Sequence, residues 1–158
     1  MRVSIENVLY IDCPEGFHVL SEEEAWAVMN ISPGAKALCM NDPVKQIYVT
    51  VEWKQINWLS AMFFGRREIS FNMERQIQKR LKPFSFNKTG EVKRDIDGKL
   101  ARGMDYEYVS KGVHIASESL VVTSGEDFYY FHMYARKVRK DESLRIFGEI
   151  LDSVVIAE

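Results

Sequence analysis

Apolar positions along the chain change period several times, and each change marks an element. Val3, Ile5, Val8, Tyr10 and Ile11 predict one extended segment that stops at Asp12-Cys13-Pro14-Glu15-Gly16, where proline and glycine impose a turn. Ser21-Glu22-Glu23-Glu24 reads as a capping box opening a short helix through about Asn30, with Pro33-Gly34 beyond its end. Ala37 to Met40 and Val44 to Trp53 form a predicted hairpin around Asn41-Asp42-Pro43, with Ile47, Val49, Val51 and Trp53 on one face. From Asn57 the period lengthens. Leu59, Met62 and Phe63 recur at helical spacing, Gly65 interrupts, and Ile69, Met73, Ile77 and Leu81 mark one stripe of a long or broken helix ending at Lys82-Pro83.

Beyond Pro83 the period shortens to two. Phe84 to Arg94 is a strand, and Asp95-Ile96-Asp97-Gly98 turns the chain into Leu100 to Val109, where Met104, Tyr106 and Tyr108 share a face. Lys111-Gly112 turns it again into Val113 to Thr123, and Ser124-Gly125-Glu126-Asp127 leads into Phe128 to Ala135. That last strand is apolar at alternate positions on both faces, which predicts a central strand covered on both sides. Asp141 is the expected cap of a final helix with the stripe Leu144, Phe147, Leu151 and Val154. The pattern is that of one α+β domain spanning residues 1–158, with a C-terminal four-strand meander.

Composition narrows the class. An apolar fraction of 46% and a charged fraction of 28% are those of a globular chain. With 21 Lys+Arg against 23 Asp+Glu the net charge is −2, so no global field draws the chain to nucleic acid or to an anionic membrane. The first residues lack the basic and apolar regions of a signal peptide, and no apolar run reaches the length of a membrane span. Cys13 and Cys39 lie in apolar surroundings without metal-ligand spacing, as expected of two buried thiols in a reducing, cytoplasmic compartment.

The order of several short motifs resembles a known superfamily. Cys13-Pro14-Glu15-Gly16-Phe17 follows the first strand, Asp97-Gly98-Lys99-Leu100-Ala101 opens a meander strand, and Tyr106-Glu107-Tyr108 and Phe128-Tyr129-Tyr130-Phe131 come next. Phe147-Gly148-Glu149-Ile150-Leu151-Asp152-Ser153-Val154 closes the series. In that order they resemble the superfamily of the photosystem extrinsic protein PsbP, the Ran-binding import factor Mog and many small bacterial proteins. The resemblance implies a three-layer α/β/α arrangement, an antiparallel sheet with helices on both faces. It also implies docking rather than chemistry, and supplies no functional residue to carry over.

The residues themselves give little chemistry. His18, His114 and His132 are far apart and none has a second ligand at metal spacing, so neither metal nor cofactor is expected. No Gly-x-Ser-x-Gly, phosphate-binding glycine loop or Cys–His pairing is present, and the chain is not expected to be an enzyme. Asp95 and Asp97 are turn residues before they are catalytic ones. Two features stand above background. Trp53, Trp58, Met62, Phe63 and Phe64, bordered by Arg66 and Arg67, carry the residue types enriched at interface centres. A basic cluster, Arg75, Lys79, Arg80, Lys82, Lys88, Lys93 and Arg94, is echoed by Arg136, Lys137, Arg139 and Lys140, and solvated surface duty explains most of it.

The expectation is a non-catalytic protein-binding domain, adaptor or chaperone-like, of a bacterial cytoplasm. Its partner would be another protein or a second copy of the chain, bound through the 53–67 segment. The alternative is a small-molecule binder or enzyme with a cleft at the sheet edge, to which Tyr130, His132 and Tyr134 contribute.

Overall fold

The computed structural model describes residues 1–28, 36–55 and 66–157, the side chains of Val28, Arg66 and Arg67 apart. The first predicted strand is two: β1 (Arg2–Ile5) and β2 (Leu9–Asp12) pair antiparallel, because Glu6 and Asn7 take positive φ of 48° and 58° and reverse the chain. The turn contains no glycine, so composition gave no warning of it. A short β3 (His18–Val19) precedes α1 (Glu22–Val28). The capping box forms as predicted: Glu24 N–H donates to Ser21 Oγ at 3.1 Å, and Ser21 N–H donates to Glu24 Oε1 at 3.1 Å.

The predicted hairpin is β4 (Lys36–Asp42) with β5 (Ile47–Gln55). Its turn is held by Asp42, whose Oδ1 accepts from the amides of Val44 and Lys45, both at 3.0 Å. The predicted stripe of Ile69, Met73, Ile77 and Leu81 is buried on α2 (Arg66–Leu81), which ends in a 3-10 turn at Lys82–Phe84 where Pro83 withdraws an amide. The reading that starts this helix near Asn57, with Leu59, Met62 and Phe63, lies outside the described residues.

The meander is β6 (Asn87–Ile96), β7 (Lys99–Ser110), β8 (Val113–Ser124) and β9 (Asp127–Arg136). Asp97-Gly98 and Lys111-Gly112 form two-residue turns with positive φ at both positions, the geometry that matches strand twist. Asp95 Oδ1 accepts from the Gly98 amide at 2.9 Å, the turn duty expected of it, while Asp97 Oδ2 reaches the amide of Ile156 at 2.8 Å.

The described strands form a seven-stranded antiparallel sheet in the order β3-β4-β5-β9-β8-β7-β6, so β9 sits at its centre as its two apolar faces predict. The last helix, α3 (Lys140–Asp152), differs from its expected start. Asp141 is not its cap: a 3-10 turn at Lys137–Arg139 runs directly into it with Arg139 at the cap position and no capping side chain. Asp141 lies instead in the first turn, where its charge complements the helix dipole. The buried stripe is Ser143, Ile146, Phe147, Ile150 and Leu151, with Leu144 only partly buried beside it. A two-residue strand the sequence does not signal, β10 (Val155–Ile156), then pairs with β2 and completes a small sheet of β1, β2 and β10.

Alternation along β9 separates the packing. Tyr129, Phe131, Met133 and Ala135 join Ile47, Val49, Val51, Leu120 and the α3 stripe in the main core. Phe128 joins Met104, Tyr106, Val121 and the α2 stripe in a second cluster, with Tyr130 packed against it. Cys13 and Cys39 are both buried free thiols, and burial pushes both upward in pKa.

Candidate functional site

Strand register places one polar and aromatic set on the sheet face that meets α2. Laterally paired residues share a face, so Thr50, His132, Ser119 and Met104 form one row, and Tyr48, Tyr134, Ser117 and Tyr106 form the next. Arg136, Ile115 and Tyr108 follow. At the first row the face is closed. Ser119 Oγ and His132 Nδ1 lie 2.7 Å apart, and Tyr106 Oη and Ser119 Oγ 2.8 Å apart, with all three residues buried. Burial, with the charge of Arg80 adding to it, pushes His132 down to about 3, so its imidazole is neutral and one hydrogen bond satisfies Nδ1. The ring is stacked between Tyr130 and Tyr134, at centroid distances of 6.5 and 6.1 Å. A serine hydroxyl against a histidine nitrogen has the parts of a nucleophile and base, but Ser119 has no exposed surface and no reactant reaches it.

Two rows further along, the face opens. Tyr48, Tyr108, Tyr134, Arg80 and Arg136 line a cavity of about 620 Å³, together with Leu81, Val113, Ile115 and Ala135. Its volume falls in the range of small-ligand sites. The opening has a geometric cause. Sixteen residues of α2 extend about 24 Å, whereas a twelve-residue strand such as β8 extends about 40 Å, so the helix covers only part of the face. Leu81, its last residue, is on the cavity wall.

The wall presents hydrogen-bond donors and positive charge. Burial raises Tyr108 to about 12, with neighbouring Tyr106 adding to the rise, and raises Tyr134 well above the ordinary phenol range for the same reasons. Both remain neutral O–H groups at physiological pH. The charge of Arg80, which lines the cavity, bears on Tyr108 and Tyr134 at the open end and on Tyr106 and His132 at the closed one. Among the described residues neither Arg80 nor Arg136 pairs with a carboxylate.

The basic cluster of the sequence is thereby sorted. Lys88 pairs with Glu74 and Glu91 at 3.3 Å each, Arg94 with Asp152 at 3.1 Å, and Lys137 and Lys140 with Glu107 at 3.2 and 3.7 Å. Arg80 and Arg136, far apart in sequence, meet at the cavity. Of the predicted ligand residues, Tyr134 lines it, whereas Tyr130 and His132 do not. Tyr48 and Tyr108 were missed as site residues, although Tyr108 was read correctly on a face with Met104 and Tyr106. Of the predicted partner segment, Trp53 is partly buried against the main core. Trp58, Met62, Phe63 and Phe64 lie outside the described residues, as do the side chains of Arg66 and Arg67. Among the described residues no cluster of three metal-ligating side chains occurs, and no helix is long and apolar enough to cross a membrane.

No family model matches the chain, and no curated protein matches it in sequence. Solved structures do match in shape. The cyanobacterial PsbP protein CyanoP from Synechocystis superposes with a TM-score of 0.72 at 15% identity, covering 99% of this chain and 92% of that one. A Pseudomonas aeruginosa protein of unknown function matches with a TM-score of 0.56 at 9% identity, covering 100% of this chain and 97% of the other. The immunity protein TplEi of the T6SS from Pseudomonas aeruginosa, complexed with an "L" peptide, matches with a TM-score of 0.51 at 9% identity. That match covers 89% of this chain and 58% of TplEi. At these identities the likeness is one of fold: the chain has a PsbP-like, mixed α/β fold with antiparallel sheets.

Proposed function

We propose that the chain is a non-catalytic binding domain of the three-layer PsbP/Mog kind, working in a bacterial cytoplasm, whose occupant enters the cavity between Tyr48, Tyr108 and Tyr134. The observation that carries this reading is the contrast along one face. The serine–histidine contact found among the described residues is sealed, while the open end is concave, of ligand size, and lined by tyrosine hydroxyls and by two guanidinium groups that pair with no carboxylate among the described residues. The two free buried thiols fit a reducing compartment. Native mass spectrometry of the chain purified from its own host tests the reading. An adduct on the wild-type chain that disappears in Val113→Trp, at unchanged Tm, is expected. An adduct equally retained by both, or none on the wild type, counts against it.

A second reading keeps the protein partner of the sequence expectation. Phe71 is 58% exposed on α2, and Arg75 lies 5.8 Å above its ring, an aromatic–arginine pairing of the sort that anchors interfaces. It continues the helix that begins at Arg66 and Arg67. In its self-association form this reading requires a dimer mass at micromolar concentration, and a monomer mass throughout in light scattering removes it.

A further inference from the structure

Resting on the reading of this cavity as a binding site, we infer that its occupant is a monoanion: a carboxylate carried on a compact apolar body, held between Arg80 and Arg136. Three features of the wall select that chemistry. Two guanidinium groups from different elements, the end of α2 and the end of β9, line one cavity without an acidic partner among the described residues. A guanidinium at a concave, partly apolar site is matched by a planar carboxylate, which it can engage through paired N–H donors. The neutral phenols of Tyr108 and Tyr134 can donate to the same oxygens or pack against a ring.

The remaining wall sets the limits. Leu81, Val113, Ile115 and Ala135 offer an apolar surface, so the anionic group must carry a body to cover it. Arg80 and Leu81 are the last two residues of α2, the end at which the helix carries partial negative charge. A helix N-terminus, the usual seat of phosphate, is not part of the wall, and the carbonyl end of α2 disfavours a multiply charged group. A single negative charge is what this balance accommodates. The same chemistry is presented by a free small acid, such as an aryl or short-chain carboxylate, and by the C-terminal residue of another protein when that residue is apolar.

Isothermal titration of the full chain distinguishes the sources. The probes are phenylacetate and phenylacetamide, hexanoate and hexanamide, and a pentapeptide ending in phenylalanine with a free or an amidated C-terminus. We expect the acid of at least one pair to bind at least about tenfold more tightly than its amide, a step typical of losing one charge-assisted contact. Arg136→Gln should abolish that preference while leaving the amide's affinity unchanged, and Arg136→Lys should restore part of it. Arg136 is exposed, so the variant retains its fold, and an unchanged Tm verifies this. Preference for the free-ended peptide assigns the site to a chain terminus, and preference for the small acids assigns it to a metabolite. Amides that bind as well as acids, with Arg136→Gln indifferent, overturn the anion inference and leave the binding reading standing. No heat from any probe at millimolar concentration overturns both.

Discussion

The two faces of one sheet are built from neighbouring residues of the same strands, yet they carry different burdens. On the α3 face, Val49, Met133, Leu120, Phe131 and Val51 meet Ile146, Phe147, Ile150 and Leu151, all buried, and three of the four helix residues and most of their partners have no exposed surface. On the α2 face the same strands present Thr50, His132, Ser119, Tyr134, Tyr48 and Tyr108, satisfied among themselves at one end and open at the other. Aliphatic rows have nothing to offer a ligand once packed. Tyrosine and serine rows retain donors, and where the covering helix stops short those donors face outward. The difference teaches that function here is sought where polar groups on a sheet outlast their cover.

The comparison breaks most visibly if the wrong face proves to hold the fold. Phe147→Ala removes a ring with no exposed surface from the main core and should destabilise by about 3–5 kcal/mol in urea titration. A loss under about 1 kcal/mol would mean that the α3 face is not the structural one.

Ser119→Ala acts on the closed end of the polar face. It removes the shared partner of Tyr106 and His132, leaving the buried His132 Nδ1 without its serine partner while Tyr106 keeps Tyr134 and Ser117 beside it, and should cost roughly 1–3 kcal/mol. Because His132 is buried and neutral in the folded state, the variant should denature earlier than wild type without exposing a new reactive centre, which circular dichroism and cysteine-independent acylating probes together check.

One acidic residue sharpens the comparison by being out of place. Glu118 is buried on the α3 face, and burial first, then the hydrogen bond and charge of Asp105, raise it to about 8. The folded state therefore keeps a proton that the unfolded glutamate, at its ordinary 4.5, has lost. Stability should be greatest below about pH 4.5 as far as this group is concerned, fall as pH rises, and level off above about 8. Glu118→Gln retains the donor without the charge, so it should flatten that slope and stabilise the chain at alkaline pH by roughly 1–2 kcal/mol. An unchanged slope in thermal melts across this window would remove Glu118 as its source.

Much of this arrangement is legible in the sequence. The meander can be read because Asp97-Gly98 and Lys111-Gly112 announce their turns, and β9 because its alternate residues are apolar on both sides. The stripe of α2 follows from spacing alone. What escapes is what spacing does not encode. The reversal at Glu6-Asn7 uses left-handed conformations without glycine, and β10 is too short to show a period. The cavity draws on β5, α2, β7, β8 and β9 and exists because a helix is shorter than the strands beneath it, a relation of lengths across distant segments. The traces it leaves in sequence are Tyr134 on the last strand and the echo of basic residues at Arg80 and Arg136, which only the fold sorts into paired and unpaired.

The central claim, that the open end of the tyrosine face is where this domain binds, is tested most directly by mapping amide chemical shifts of the labelled chain during titration with phenylacetate. The account predicts shifts concentrated at Tyr48, Tyr108, Val113, Tyr134 and Arg136, weakened in Arg136→Gln to the level that phenylacetamide gives. Shifts centred on residues 53–67 instead, with the cavity silent, would contradict it.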